Sequence, residues 1–210
     1  MTMQVIHSFD LFGTAIFAIT GALCGVHHRL DLLGVLVFGC TVGVGGGILR
    51  DAIIGATPAA ALKDISYLVT CIISSLLVFF IARKLSNLHR IIALCDAIGL
   101  GVFTAIGAAK GYQYELSTIG VVLCGVLTAV GGGILRDVMS KSIPVVLTSD
   151  FYATASLFGG GLFCLLKEYT NLQDFNLFFI VFVFVSSIRV AAMCFKLRLP
   201  VAQSADATKE

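Results

Sequence analysis

Charge is what this sequence has least of. Only 12% of its 210 residues are Asp, Glu, Lys or Arg, where a soluble domain carries about a quarter. Such scarcity excludes a solvated surface of ordinary size. It leaves no soluble unit to hold a nucleotide, and no nucleic-acid partner is expected. The formal net charge of +2 says nothing about acidic partners. Catalytic patterns are missing as well: there is no HExxH, no GxSxG and no acid pair in a polar stretch, so neither enzyme activity nor a cofactor is expected. The seven cysteines, at 24, 40, 71, 95, 124, 164 and 194, form no CxxC pair and no His–Cys spacing. They read as small buried hydrophobes rather than zinc ligands or disulfides. The histidines at 7, 27, 28 and 89 show no helix-face metal spacing either. The opening residues, MTMQVIHSFD, lack the basic segment of a cleaved signal peptide and read as the start of a helix.

Long apolar blocks are what the chain has instead. They lie at 5–24, 33–49, 65–82, 91–109, 116–135, 151–166 and 175–188, and their only charges before the motif described next are Asp10 and Asp96. A membrane-spanning helix needs about 20 mostly apolar residues, so with a few residues added at the ends there are seven spans. The fold class is all-α and integral to the membrane. The remaining segments are short loops and a polar tail, 200–210, expected to be disordered. Basic residues set orientation. Arg83, Lys84 and Arg90 fall in one loop, Arg29 in another, and Lys196 and Arg198 follow the last span. These share a side only with the N-terminus outside and the C-terminus cytoplasmic.

One polar motif interrupts the apolar blocks, twice. GGGILRD stands at 45–51 and again at 131–137. Sliding the chain by 86 residues aligns Asp10 with Asp96, Gly13 with Gly99, Phe17 with Phe103, Pro58 with Pro144 and Asp64 with Asp150. Twenty of 55 ungapped positions are identical, and many are Gly, Asp or Pro. Shared hydrophobicity would match Leu, Ile and Val at random, not these residues in register, so the chain is duplicated. Each copy holds three spans, and an odd number forces the second copy to enter from the opposite side. The expected architecture is an inverted three-plus-three repeat, residues 5–83 and 91–167, with a seventh helix at 175–196.

The triplets Gly45, Gly46, Gly47 and Gly131, Gly132, Gly133 fall inside the second span of each copy. Each glycine costs roughly 1 kcal/mol against alanine in a helix, so one expectation is a kink or break. It would free carbonyls able to hold a monovalent cation transiently at mid-membrane depth. The other is close packing, since Gly39, Gly43 and Gly47 recur every four residues. An ionisable group near the bilayer centre costs about 2.5–3.5 kcal/mol, so Arg50, Asp51, Arg136 and Asp137 must be paired, wet or near an interface. At about 1.5 Å per residue, Asp10 and Arg50 both lie roughly 7–10 Å below one surface, and Asp96 and Arg136 match at the other. Contacts Asp10–Arg50 and Asp96–Arg136 are therefore expected, one at each mouth of a central path. A purely structural pairing is the alternative. TVGVG at 41–45 resembles a potassium-channel filter, but the second copy, LTAVG at 127–131, loses that pattern. Lys110 is expected at the membrane interface and Arg189 is expected to snorkel.

This layout, with both motif copies intact, resembles the prokaryotic trimeric intracellular cation channels, a family also described in bacteria as a glycine transporter domain. The likeness covers about residues 5–196. It implies a symmetric homotrimer in the prokaryotic plasma membrane, surrounded by lipid, with one path per protomer between the two repeats. It implies helices two and five kinked at Gly45–Gly47 and Gly131–Gly133, with Arg50, Asp51, Arg136 and Asp137 at the charged ends of the motif. The permeant ions it implies are potassium and sodium. A secondary transporter of a small substrate such as glycine fits the inverted repeat equally well.

Overall fold

Every described apolar block folds as helix. The computed structural model describes residues 2–82, 87–148 and 151–195, with side chains from Ile6 onward. Arg83, Lys84, Asp150, Lys196, Arg198 and the 200–210 tail lie outside the described residues. The helices are α1 (Thr2–His27), α2 (Leu32–Ile53), α3 (Ala60–Lys63), α4 (Ile65–Ile81), α5 (Leu88–Gln113), α6 (Thr118–Met139), α7 (Val145–Thr148), α8 (Ala153–Tyr169) and α9 (Asp174–Phe195). Five of them, α1, α2, α5, α6 and α9, are long and apolar enough to cross a membrane. Helices α4 and α8 have 17 residues each, the lower end of spanning length. Large apolar side chains face outward: Leu33, Ile65, Phe80, Ile119 and Phe158 are all mostly exposed. That exterior suits hydrocarbon, and the backbone polar groups are satisfied inside the helices as a bilayer requires. The protein is an integral membrane protein.

The duplication extends to backbone conformation. Asp31 Oδ1 accepts from the Gly34 amide at 2.7 Å and starts α2. Ser117 Oγ accepts from the Gly120 amide at 3.3 Å and starts α6. These are N-caps 86 residues apart. Helices α1 and α5 end alike, with Leu30 N donating to Gly25 O at 3.1 Å and Leu116 N to Gly111 O at 3.2 Å. In these turns Arg29 (φ 57°) and Glu115 (φ 54°) occupy the left-handed region, a conformation that costs a non-glycine residue about 1 kcal/mol. The next pair of turns repeats the device at Gly55 (φ 73°) and Lys141 (φ 55°).

Packing has the same symmetry. Helices α1, α2 and α4 pack on one another, as do α5, α6 and α8. The two groups meet through α1 against α5 and α2 against α6. A methyl added to Gly13 would lie 2.9 Å from the Phe103 ring, and one on Gly99 would strike the Phe17 ring. Four residues forward on α1 is thus four residues back on α5, the register of antiparallel helices. Between α2 and α6, Val42 faces Gly132 and Gly46 faces Thr128, which is again antiparallel. Helix α9 packs mainly on α5 and α8 and touches α1 through Phe9, which stacks on Phe178, so it covers chiefly the second group. Lipid tails are as apolar as leucine, so burial does little to drive these contacts. Close approach at small residues does more.

Candidate functional site

The two glycine triplets cross one another at the centre of the molecule. A methyl on Gly46 would collide with the Thr128 carbonyl oxygen, and one on Gly132 would lie 2.6 Å from the Val42 carbonyl oxygen. Gly131 lies against Gly46 itself, with 2.9 Å from its would-be methyl to the Gly46 Cα. Backbone therefore touches backbone. Neither triplet interrupts its helix, since α2 and α6 are helical from end to end. The expected unwound segment is absent, and the carbonyls it would have freed stay in helical bonds. The reason is that absent side chains let the helices approach, and this contact offsets the poor helix propensity of three glycines. The third glycine of each triplet does something else. Around Gly47 the nearest foreign atom is Arg50 Nη2, at 3.8 Å from a built methyl. Around Gly133 stand Tyr152 Oη, Asp96 Oδ1 and Arg136 Nη2, at 2.9, 3.7 and 3.9 Å. Gly47 and Gly133 thus border the charged groups.

Those groups form two buried clusters. Arg50 Nε donates to Asp51 Oδ1 at 2.9 Å, and Arg136 Nε donates to Asp137 Oδ1 at 2.9 Å. The second oxygen of each aspartate accepts an amide at the start of the following short helix: Ala60 N to Asp51 Oδ2 at 2.9 Å, and Val145 N to Asp137 Oδ2 at 2.8 Å. Each Arg-Asp pair thereby ties the end of its long helix to the returning loop. All four side chains are buried, and such charges are tolerated only when paired and hydrogen-bonded.

The clusters then diverge. Arg136 Nη1 donates to Asp96 Oδ1 at 2.7 Å, the contact expected from helix depth. Arg50 Nη1 is buried with no hydrogen-bond partner among the described residues. Asp10, its expected partner, makes no ion pair within 4 Å among them. Instead Tyr67 Oη donates to Asp10 Oδ2 at 2.7 Å. The expected Asp10–Arg50 hydrogen bond is not formed, although both side chains line one small space and attract each other across it; Tyr67 takes one of the two carboxylate oxygens. Tyr67 belongs to no motif in the sequence. Tyr152, just before α8, stands in the corresponding place, its Oη beside Asp96 at Gly133. Arg189 was expected to snorkel but turns inward. It is buried, and its guanidinium lies 5.0 Å from the Tyr152 ring centroid. Lys110 Nζ lies 5.8 Å from the Tyr114 ring.

Each cluster faces a cavity. The second opens into a space of about 420 Å³ lined by Asp96, Arg136, Asp137, Arg189, His27 and His89. The first, lined by Asp10, Thr14, Gly47, Arg50, Tyr67 and Phe103, holds only about 10 Å³. Arg50 also lines a mostly apolar space of about 220 Å³ with Ile53, Leu116 and Leu127, so the asymmetry lies in the space that holds the aspartate: wide around Asp96, narrow around Asp10.

Residues 7–83 and 93–168 match the family described as glycine transporter. The chain belongs to the glycine transporter family. Among its relatives in that family, the UPF0126 membrane protein of Vibrio cholerae is 41% identical over 158 residues, 75% of this chain and 66% of that protein's own length. The inner membrane protein YadS of Escherichia coli is 39% identical over 158 residues, 75% of this chain and 76% of its own. Among solved structures, the trimeric intracellular cation channel orthologue from Rhodobacter sphaeroides superposes with a TM-score of 0.88 at 32% identity, covering 92% of this chain and 99% of that one. The fold of this glycine transporter family member is therefore that of the trimeric cation channels.

Proposed function

We propose that the protein is a monovalent cation channel, passing potassium and also sodium, with one path per protomer between the two inverted repeats. Seven helices, α1, α2, α4, α5, α6, α8 and α9, cross the membrane, and three protomers assemble. The N-terminus lies outside and the C-terminus in the cytoplasm. The observation that carries this reading is the pair of buried charge clusters. They are duplicated at 45–51 and 131–137 and held by antiparallel helices, so they lie toward opposite surfaces. Intramembrane ionisable groups mark ion and substrate pathways, and the likeness to a cation channel at 32% identity favours ions. Helices α2 and α6 bend about their glycine crossing as the path opens. Asp10 attracts cations at one mouth; at the other, Asp96 and Asp137 share Arg136 and leave an excess of one carboxylate over that pair, while Arg50 is balanced by Asp51.

One observation favours a second reading, a transporter of a small zwitterion such as glycine. A cavity of about 420 Å³ on one side and about 10 Å³ on the other is what alternating access looks like, and the larger cavity offers both guanidinium and carboxylate groups. Recording the purified protein in planar bilayers separates the two. Ohmic unitary currents that reverse near the potassium potential support the channel. Electrical silence with saturable glycine uptake by proteoliposomes overturns it.

A further inference from the structure

We infer that Phe17 and Phe103 together form the apolar barrier that separates the two charged cavities and sets the width of the path. The pair is related by the 86-residue offset and meets where the first helices of the two copies cross. The rings stand edge to face with centroids 5.0 Å apart and planes at 63°. Phe17 is fully buried and Phe103 nearly so. Each ring rests on a glycine of the opposite helix, Phe17 on Gly99 and Phe103 on Gly13. Phe17 also touches Gly132 of the central crossing, 2.8 Å from a built methyl.

Position gives the pair its role. Phe103 lines the first cavity beside Asp10 and Arg50. Phe17 is wedged between Gly99 and Gly132. Gly99 is one turn from Asp96, and Gly132 adjoins Gly133, which borders Asp96 and Arg136 of the second cluster. A route from Asp96 to Asp10 therefore passes the two rings. A constriction lined by aromatic carbon excludes water and gates by dewetting. The charged clusters sit outside this barrier, where ions remain hydrated, and the rings set the narrowest point.

The flux side of this inference rests on the channel reading; the barrier itself does not, and the test has an arm for each. In planar bilayers Phe17→Ala and Phe103→Ala should each raise unitary conductance at least about twofold, and the double variant should exceed either single one only slightly, because one barrier is removed. Phe103→Trp should lower it. If the alanine variants do not yield folded protein, Phe17→Leu and Phe103→Leu must still raise the amplitude, by about half or more. Folded variants with wild-type amplitude overturn the inference. The second arm needs no conduction. In a background without the seven native cysteines, Phe17→Cys should react with silver ion, a thiol-reactive cation about the size of potassium and so small enough for a space of about 10 Å³, added on the side of the larger cavity only. Phe103→Cys should react from the opposite side only. Reaction from neither side, or equally from both, overturns the barrier. One-sided labelling without ion currents retains the barrier and overturns the channel.

Discussion

Arg50 and Arg136 occupy the same place in an identical seven-residue motif and end in different surroundings. Up to a point they behave alike, since each gives Nε to the next aspartate at 2.9 Å, and each aspartate holds the start of a short helix. They part at Nη1. Arg136 reaches Asp96, while Arg50 reaches no acceptor and Asp10 takes the hydroxyl of Tyr67. The cavities differ in the same sense, about 420 against 10 Å³. The motif thus fixes the local pair, while the side chains around it differ. A tyrosine stands beside the aspartate of each first helix, Tyr67 at Asp10 and Tyr152 at Asp96, but only Tyr152 has an arginine, Arg189, over its ring.

The comparison can be broken most severely at Asp96. Asp96→Ala leaves Arg136 buried with one carboxylate fewer, and we expect a loss of about 3–5 kcal/mol. Asp10→Ala leaves the Tyr67 hydroxyl unsatisfied and removes a through-space attraction on Arg50 but breaks no direct ion pair, so a smaller loss of about 1–3 kcal/mol is expected. Thermal unfolding in detergent, followed with a dye that reports newly exposed thiols, measures both; equal losses would mean the two clusters are equivalent after all. Next in size is the glycine crossing. Gly46→Ala drives a methyl into the Thr128 carbonyl and should cost about 1–3 kcal/mol, whereas Gly47→Ala, with only Arg50 Nη2 in ordinary contact at 3.8 Å, should leave the melting temperature within a degree or two of wild type. Tyr67→Phe should lower stability by only about 1 kcal/mol yet raise potassium flux, because Asp10 becomes free to turn toward Arg50. Flux unchanged in that variant removes Tyr67 from the closure. The smallest effect lies outside the membrane. The Ser66 backbone amide holds the half-buried Asp64 carboxyl below its ordinary value. Its contribution is therefore complete above the unfolded carboxylate value and lost as pH falls through the lower folded one. Asp64→Asn should be slightly less stable than wild type at neutral pH and equal to it in acid well below about 3.9.

Much of this was legible in the residues because it depends on spacing. The 86-residue offset predicts an inverted duplication, and the antiparallel packing of α1 on α5 follows from it. Helix rise alone placed Asp96 level with Arg136. What was not legible depends on contacts between helices. Propensity says that three glycines weaken a helix; it does not say that another helix will pack against them and keep them helical. Depth places Asp10 near Arg50 without revealing that a tyrosine on α4 reaches Asp10 first. Arg189 reads as an interfacial residue until the ring of Tyr152 is seen to stack beneath it. The short helices α3 and α7 are four residues each, too brief for any hydrophobic period, yet they take one oxygen each from Asp51 and Asp137.

The central claim is that the two clusters stand at opposite mouths of one cation path. Unitary currents recorded in symmetrical potassium chloride, with all protomers oriented alike, test it through Asp10→Asn and Asp96→Asn. Each removes one attractive charge from one mouth. The account predicts that both variants rectify, in opposite directions, each reducing the current that enters through its own mouth. Rectification in the same direction, or no change in either variant, would contradict it.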